Sequence, residues 1–205
     1  MLSLNQVQCL RGERELFSDV NIALEPRGIM QVDGPNGSGK TSLLRIVAGL
    51  SAAASGEIRW GGELISELAE DFFGELLYLG HAAAIKDELT AQENLLLAME
   101  ISGEPCSISA ANEALAQAGL KDGLHLPAKY LSQGQRRRAA LARLALSKRC
   151  LWLLDEPFTA LDSIAVEWVA SLLARHLASD GIVLFTTHQP VAIPGYRPRR
   201  LKLPS

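Results

Sequence analysis

A glycine-rich loop gives the strongest chemical signal in the chain. It reads Gly34-Pro35-Asn36-Gly37-Ser38-Gly39-Lys40-Thr41, and Ser42 follows it. Apolar runs at residues 29–32 and 43–47 flank the loop, which predicts a strand before it and a helix after it. In that setting backbone N–H groups and the helix start bind phosphate, the Lys40 ammonium reaches the β- and γ-phosphates, and the Thr41 hydroxyl joins a Mg²⁺ ion. Residues 34–42 therefore predict a site for a nucleoside triphosphate.

An acidic pair, Asp155 and Glu156, stands directly after a second apolar run at residues 150–154. Open α/β sheets bind ligands beside the carboxyl ends of their strands, so we expect this pair to lie near the phosphate loop. Asp155 is then positioned to hold Mg²⁺, directly or through water. Glu156 is the candidate general base that polarises the attacking water. Because Pro157 follows, the pair alone fits a turn or a cap equally well; the phosphate loop favours the catalytic interpretation.

A third stretch, which reads Leu131-Ser132-Gln133-Gly134-Gln135, predicts the start of a helix. Ser132 and Gln135 have the spacing of a capping box, in which each side chain bonds the backbone of the other residue. Such a helix start presents a hydroxyl and free N–H groups to a phosphate. With this stretch the chain resembles the ABC transporter ATPases, whose signature reads Leu-Ser-Gly-Gly-Gln and differs only where this chain has Gln133.

The resemblance extends over essentially the whole chain. Ala160-Leu161-Asp162 is similar to the D-loop of the family, which gives Asp162 a coupling role, and His188 is similar to the histidine that senses the γ-phosphate. In the family two such domains stack head to tail, so that each ATP lies between the Lys40 loop of one chain and the Ser132 helix of the other. The resemblance thus implies ATP and Mg²⁺ as cofactors, a second copy of the chain as a partner, and poor hydrolysis by one chain alone.

Two positions depart from the family pattern. His81 stands in place of the glutamine that joins the core to the helical lobe, touches metal and water, and reports on the membrane partner. His81 either fills that coupling role with a charge that depends on pH or is a structural turn residue. Arg11 occupies the position of the aromatic residue that stacks on adenine, and its guanidinium plane either stacks on the base or is solvated.

Several stretches narrow the resemblance to the ATP-binding subunits of bacterial cytochrome c maturation. They are Gly80-His81 with Glu88-Leu89-Thr90 and Glu93-Asn94-Leu95, residues 155–162, and Thr186-Thr187-His188-Gln189-Pro190. That subfamily implies an ATPase peripheral to the cytoplasmic side of the cell inner membrane, with integral-membrane subunits as partners. Hydrolysis there is coupled to haem export or haem-chaperone release. We expect no haem site in this chain, since its sequence contains no Cys-x-x-Cys-His.

Two alternatives stay open. One is an ABC ATPase for another substrate, or a soluble one that moves no solute, such as an iron–sulfur assembly partner. The other is a nucleotide-gated binding module with little turnover, against which the presence of Glu156 argues. Co-purification with membrane proteins would distinguish a transporter subunit from a soluble ATPase. Turnover in the assembled complex would distinguish an ATPase from a binding module.

Composition limits the remaining function classes. The 205 residues carry a net charge of −3, so no overall positive field favours nucleic acid as a partner. The start of the chain predicts no export signal, and no run of 18 apolar residues predicts a membrane span. The cysteines Cys9, Cys106 and Cys150 match no metal-binding spacing and are expected to be free and reduced.

Hydrophobic periodicity predicts the elements that carry these residues. Short alternating runs before residue 33 indicate antiparallel strands, whereas continuous apolar runs at 150–154 and 182–186 indicate a parallel sheet covered on both faces. We therefore expect one α/β domain over residues 1–205, a P-loop NTPase of the ABC type. Its core (1–81 and 136–205) combines a mostly parallel sheet with N-terminal antiparallel strands, and a helical subdomain (82–135) interrupts it. A basic cluster after Ser132 is interpreted as a solvated helix face, with phosphate attraction as the alternative: Arg136, Arg137, Arg138 and Arg143.

Overall fold

The structure is a computed structural model that describes residues 1–120 and 126–204. Its strands are β1 (Leu2–Arg11), β2 (Arg14–Leu24), β3 (Ile29–Asp33), β4 (Ser55–Trp60), β5 (Glu63–Leu64), β6 (Leu76–Leu79), β7 (Leu151–Leu154), β8 (Ile182–Thr186) and β9 (Arg199–Lys202). Its helices are α1 (Lys40–Val47), α2 (Ile65–Leu68), α3 (Glu70–Glu75), α4 (Ala91–Ile101), α5 (Ile108–Gln117), α6 (Gln133–Leu141), α7 (Arg143–Leu146) and α8 (Ser163–Ala178). None of the helices in these ranges is both long and apolar enough to cross a membrane.

The strands form two sheets. An antiparallel sheet has the order β2-β1-β4-β5, and a parallel sheet has the order β6-β7-β8-β3-β9. Every residue of β7 and β8 is buried, which is why their sequences are continuously apolar rather than alternating. The parallel core with N-terminal antiparallel strands confirms the fold class predicted from the sequence.

The described chain divides into two compact units. The first comprises Met1–His81, Arg149–Glu156 and Leu173–Ser205, and the second comprises Ala82–Lys148 and Pro157–Leu172. The second unit thus holds more of the chain than the helical subdomain predicted over 82–135. The reason is packing: residues of α6 and α7 and the Trp168 side chain join α4 and α5 in one apolar cluster.

The first unit is built on an apolar cluster shared by both sheets and α1. Phe17 of β2, Leu43 of α1 and Leu153 of β7 are each at most 1% exposed and belong to this cluster. The loop between β3 and α1 is therefore supported by the antiparallel sheet as well as by the parallel one. Such close packing fixes a backbone loop in one shape before any ligand binds.

The arginine cluster is not a solvated face, and that interpretation of the sequence is wrong. Arg137 is only 7% exposed, and burial lowers the pKa of Arg143. Arg136 donates to Asp87 Oδ1 at 2.5 Å, while Arg138 donates to a backbone carbonyl at the end of α5 at 3.3 Å. Since α6 packs against other helices of the second unit, these long side chains lie along protein surface and bond it.

The three cysteines are free, as the sequence predicts. Cys150 nevertheless differs from the buried strand residue that the apolar run suggests, because its side chain is exposed and β7 begins one residue later. The Cys150 carbonyl oxygen still accepts a hydrogen bond from the Ile182 N–H at 2.8 Å. Its backbone thus joins the ladder with β8 although the residue is exposed.

Candidate functional site

Four loops of the first unit meet at one edge of the parallel sheet, because parallel strands end on the same side. Strand β3 leads into the glycine-rich loop, and β7 leads into Asp155 and Glu156. The neighbouring strands β8 and β6 lead to His188 and His81. The residues predicted to bind and hydrolyse a nucleotide in one chain are thereby brought to a common edge.

Packing fixes the shape of the phosphate loop. Gly39, the residue before α1, has a φ of 98° and therefore lies in the left-handed region that favours glycine. A Cβ at this position would lie 2.9 Å from the ring of Phe17. The loop thus presses against the antiparallel sheet at a point where a larger residue would displace it.

Two buried polar side chains line this loop. Ser38 Oγ is buried and finds no hydrogen-bond partner within residues 1–120 and 126–204. Lys40 is 8% exposed, and its Nζ donates to the carbonyl oxygens of Gly34 at 2.7 Å and Pro35 at 3.1 Å. A buried ammonium and an orphaned hydroxyl beside a helix N-terminus are what an anionic ligand would satisfy.

Asp155 is anchored from three directions, two through its carboxylate and one through its backbone. It is 1% exposed, and its two oxygens accept hydrogen bonds from Thr41 Oγ1 at 2.7 Å and Thr186 Oγ1 at 2.8 Å. Its backbone N–H donates to the Leu79 carbonyl oxygen at 2.8 Å and so extends the pairing of β7 with β6. A carboxylate held in this way has a defined position and direction.

The Thr41 and Asp155 oxygens fit a magnesium ion. Octahedral Mg²⁺ binds oxygen at 2.0–2.1 Å, which places neighbouring ligand oxygens about 2.9 Å apart. The observed separation of 2.7 Å between Thr41 Oγ1 and Asp155 Oδ2 is close to that value. The described residues contain no group of three or more His, Cys, Asp or Glu side chains able to hold a metal. The remaining ligands would then be phosphate oxygens and water, as is usual for Mg²⁺.

Glu156 sits on a strained piece of backbone next to His188. Its φ of 51° is uncommon for a residue with a side chain, and such strain is frequent at functional sites. The Glu156 side chain is 12% exposed, and its Oε1 lies 3.4 Å from His188 Nε2. A carboxylate and an imidazole therefore face each other at the sheet edge.

Thr186 is a site residue whose role sequence reasoning missed. Its Oγ1 accepts a hydrogen bond from the Glu156 N–H at 2.8 Å and donates one to Asp155 Oδ1. One hydroxyl thus orients both acidic residues. The available signal was a threonine at the end of a fully apolar strand that pairs with the strand before the acidic residues.

The signature residues belong to the second unit. The predicted capping box is confirmed: Gln135 N–H donates to Ser132 Oγ at 3.2 Å, and Ser132 N–H donates to Gln135 Oε1 at 2.8 Å. A Cβ on Gly134 would lie 2.9 Å from the Ala160 carbonyl oxygen, so the D-loop packs directly on the signature helix. Asp162 in turn accepts from the Ala165 N–H at 2.8 Å and caps the start of α8.

The two residues that depart from the family pattern are both exposed. His81 lies on the turn after β6, and Arg11 lies at the tip of the hairpin between β1 and β2, opposite Arg14. Exposure leaves both side chains accessible to a ligand or a partner. Their roles in coupling and base stacking stay predictions.

The ABC transporter family profile matches residues 17–159, which include the phosphate loop, the signature and the acidic pair. The chain belongs to the ABC transporter family. This membership agrees with the arrangement of the site residues at one edge of the parallel sheet. It identifies the protein as an ATPase whose hydrolysis is coupled to transport. Nucleotide binding follows from the same membership.

Relatives of this ABC ATPase share a consistent name. The Cytochrome c biogenesis ATP-binding export protein CcmA of Nitrosospira multiformis is 52% identical over 195 residues, 95% of each chain. The protein of that name from Dechloromonas aromatica is 49% identical and covers 99% of this chain and 100% of its own. A solved ATP-binding cassette, a dimer in a post-hydrolysis state with ADP and Pi, has a TM-score of 0.79 at 25% identity, over 92% of this chain and 88% of its own.

Proposed function

We propose that this ABC ATPase is the ATP-hydrolysing subunit of a complex in cytochrome c maturation, which couples hydrolysis to haem export or haem-chaperone release. The observation that carries the proposal is the 52% identity, over 95% of the chain, to a cytochrome c biogenesis ATP-binding export protein. The convergence of the phosphate loop, Asp155, Glu156 and His188 at one sheet edge supplies the required chemistry.

The phosphate loop would bind the triphosphate of ATP through residues 34–42. Backbone N–H groups at the start of α1 point at the phosphates, and Lys40 Nζ exchanges its carbonyl partners for phosphate oxygens. The Ser38 hydroxyl, buried in the loop, gains a partner in the same exchange. Thr41 and Asp155 would hold Mg²⁺, which supplies positive charge for the β- and γ-phosphates when it is bound.

Hydrolysis would use the pair formed by Glu156 and His188. The Glu156 carboxylate accepts a hydrogen bond from the attacking water and takes its proton as the water oxygen bonds to the γ-phosphorus. The bond between the γ-phosphorus and the β–γ bridging oxygen then breaks, and ADP leaves. His188 Nε2, 3.4 Å from Glu156 Oε1, donates to the γ-phosphate and holds it in line with the water.

The second half of each site would come from another copy of the chain. Ser132 and Gln133 are exposed, and the first N–H groups of α6 are free of helical partners. Ser132 Oγ accepts from Gln135, so its hydroxyl proton stays available for a phosphate oxygen. The related cassette that was solved as a dimer with ADP and Pi supports such self-association.

The proposed partners are the integral-membrane subunits of the same complex. The relatives are named as export proteins, so an ATPase of this kind would work at the cytoplasmic side of the inner membrane against a membrane-embedded subunit. His81 and Asp162 would couple the nucleotide site to that subunit and to the second copy. Haem is not proposed as a ligand of this chain.

The test is an affinity pull-down of the tagged chain from solubilised membranes, followed by an ATPase assay on the recovered complex. We expect small polytopic subunits and a haem-bearing chaperone, with ATPase activity that Glu156→Gln abolishes. Recovery of soluble partners alone would contradict the transport assignment and favour a soluble ABC ATPase, such as an iron–sulfur assembly partner.

A further inference from the structure

Asp87 contacts the chain on both sides of the signature, residues 131–135, although the mechanism above gives it no role. Its backbone carbonyl oxygen accepts a hydrogen bond from the Lys129 N–H at 3.1 Å, just before the signature begins. Its side-chain Oδ1 accepts from Arg136 Nη1 at 2.5 Å, directly after the signature ends. One residue therefore holds the chain that leads into the signature and the first residue that follows it.

The approach to the signature pairs with residues 86–90, which we call the brace segment. The Ala128 N–H donates to the Leu89 carbonyl oxygen at 2.8 Å, and Thr90 forms an antiparallel bridge with Pro127. These contacts lie in the second unit, directly before the signature helix. The brace segment therefore sets the path by which the chain enters that helix.

A buried amide fixes the brace segment to α4. Asn94 is 6% exposed, and its Oδ1 accepts from the Lys86 N–H at 2.8 Å. Its Nδ2 donates to the carbonyl oxygens of Lys86, Leu89 and Thr90 at 3.0, 3.2 and 2.9 Å. Displacement of the segment would leave a buried polar group unpaired, which is costly. The brace segment is thus a rigid support from which Asp87 reaches the signature helix.

The signature helix needs such a support because its own cap is local. The Ser132–Gln135 capping box fixes where α6 begins but does not fix the direction of the helix relative to its neighbours. The Asp87 and Arg136 side chains are 51% and 29% exposed, and an ion pair so exposed adds only about 0.2–1 kcal/mol to stability. Its main consequence is geometric, since a displacement of about 1 Å at a catalytic site costs up to roughly 10²-fold in rate.

We propose that Asp87 is a positioning residue for the signature, which holds the Ser132 end of α6 in the orientation that binds the phosphate of a nucleotide on the second copy. The inference rests on the proposed function, in which each site is shared between two copies. Asp87 acts through Lys129 and Arg136 and does not itself touch the nucleotide. Loss of its carboxylate therefore impairs the site on the other copy and spares the phosphate loop of its own chain.

The alternative is that Asp87 only supports the fold or balances surface charge. Asp87→Ala removes the carboxylate, and Glu88→Ala is the matched control, because this neighbouring residue of the brace segment is also exposed and carries the same charge. Asp87→Glu restores a carboxylate and should recover most of the activity. The isolated chain should keep its melting temperature and its ATP affinity in all three variants.

The experiment uses mixed membrane complexes in which one tagged copy carries Lys40→Ala. The intact phosphate loop of the other copy then pairs with the signature of the Lys40→Ala copy. Asp87→Ala in the Lys40→Ala copy should reduce the ATPase rate roughly tenfold. In the other copy it should have no effect, because there the altered signature faces the inactive loop. Glu88→Ala should be neutral in both arrangements.

A second measurement needs no turnover. Chains with Glu156→Gln retain bound ATP, so their self-association in ATP reports directly on the contact between a signature and the nucleotide of another copy. Adding Asp87→Ala should weaken this self-association by a similar factor, while the affinity of each chain for ATP stays the same.

Unchanged self-association, or equal losses of ATPase in the two arrangements with a lower melting temperature, would overturn the positioning role, because they indicate a surface contact or a general effect on folding. Ser132→Asp in the same two arrangements tests the shared site itself. If its effect did not depend on the arrangement, the proposed shared site would fail, and the role of Asp87 with it.

Discussion

The phosphate loop and the signature helix both offer helix N-termini to a phosphate, yet they are built differently. The loop is enclosed: Ser38 and Lys40 are buried, and Gly39 presses against Phe17. The signature helix is open: Ser132 is exposed, and the capping box is a local device that needs only Gln135. The first region places its donors inside one chain, whereas the second presents its donors outward.

This difference supports the proposal that a single chain binds a nucleotide and depends on a second copy to hydrolyse it. The enclosed loop holds the phosphates by groups that are already in place, which lowers the ordering cost of binding. Under the proposed function, the exposed helix start would contribute only when another molecule supplies the phosphate. We therefore expect substitutions in the first region to affect binding or chemistry directly, and substitutions in the second region to affect assembly and turnover.

The largest effect is expected at the acidic pair. Glu156→Gln should retain ATP binding and lose roughly 10²–10⁴-fold in ATPase rate, because the amide cannot take a proton from water. The assay is steady-state ATPase of the membrane complex, with nucleotide affinity measured alongside. Glu167→Gln on the exposed side of α8 is the control and should be neutral. Near-normal turnover of Glu156→Gln would exclude this residue as the base.

A smaller effect is expected at the enclosed loop. Lys40→Ala removes an ammonium that would bond phosphate oxygens, and each such bond contributes about 1.5–3 kcal/mol, or roughly 10- to 150-fold in affinity. Titration of the isolated chain with ATP measures this loss. Lys148→Ala changes the net charge equally at an exposed position and should bind as the wild type does. An equal loss in both variants would indicate a general charge effect and remove the specific role of Lys40.

At the signature helix, the capping role of Ser132 can be separated from its proposed role in binding phosphate. Thr90 at the start of α4 forms the same capping box as Ser132, so Thr90→Ala and Ser132→Ala should each destabilise the fold by about 1 kcal/mol. Only Ser132→Ala should also reduce ATPase of the complex, by roughly tenfold for one lost hydrogen bond to phosphate. ATP affinity of the isolated chain should stay the same in both. Equal ATPase rates in the two variants would limit Ser132 to capping.

The last effect concerns the stability of the sheet that supports the enclosed region and appears only as the pH falls. His176 stacks on Trp152 of β7 with ring centroids 3.8 Å apart, and burial lowers its pKa to about 4. The ordinary value in the unfolded chain is about 6.5. Between these values the unfolded state binds the additional proton, so the free energy of unfolding should fall as pH decreases from about 6.5 to 4.

His176→Phe keeps an aromatic stack and removes this titration. Between pH 7 and 5 the wild type should lose on the order of 1–2 kcal/mol more stability than His176→Phe does. Denaturant unfolding at both pH values measures the difference, and His188→Gln, at a half-exposed histidine, is the control. Parallel losses in the wild type and His176→Phe would show that another group governs acid sensitivity.

Features that depend on residues close together in the sequence could be predicted from it. The phosphate loop and the Ser132 capping box depend on residues within a few positions of each other, and β7 and β8 are apolar throughout because both faces are covered. The features that could not be predicted depend on contacts between segments that are distant in the sequence. The Thr186 hydroxyl bonds residues about 30 positions away, and Gly134 packs on a carbonyl of the D-loop. The arginines after Ser132 were misinterpreted for the same reason, since only packing decides whether a charged helix face is buried.

Mixed complexes show directly whether one site is shared between two copies of the chain. Lys40→Ala and Ser132→Asp chains, which carry different tags, are co-expressed with the membrane subunits, and complexes that contain both are isolated by tandem purification. If each site combines the loop of one copy with the signature of the other, the mixed complex keeps one intact site and hydrolyses ATP well above either parent complex. ATPase no higher than in the parents would contradict the composite site, because it means that loop and signature must be intact in the same chain.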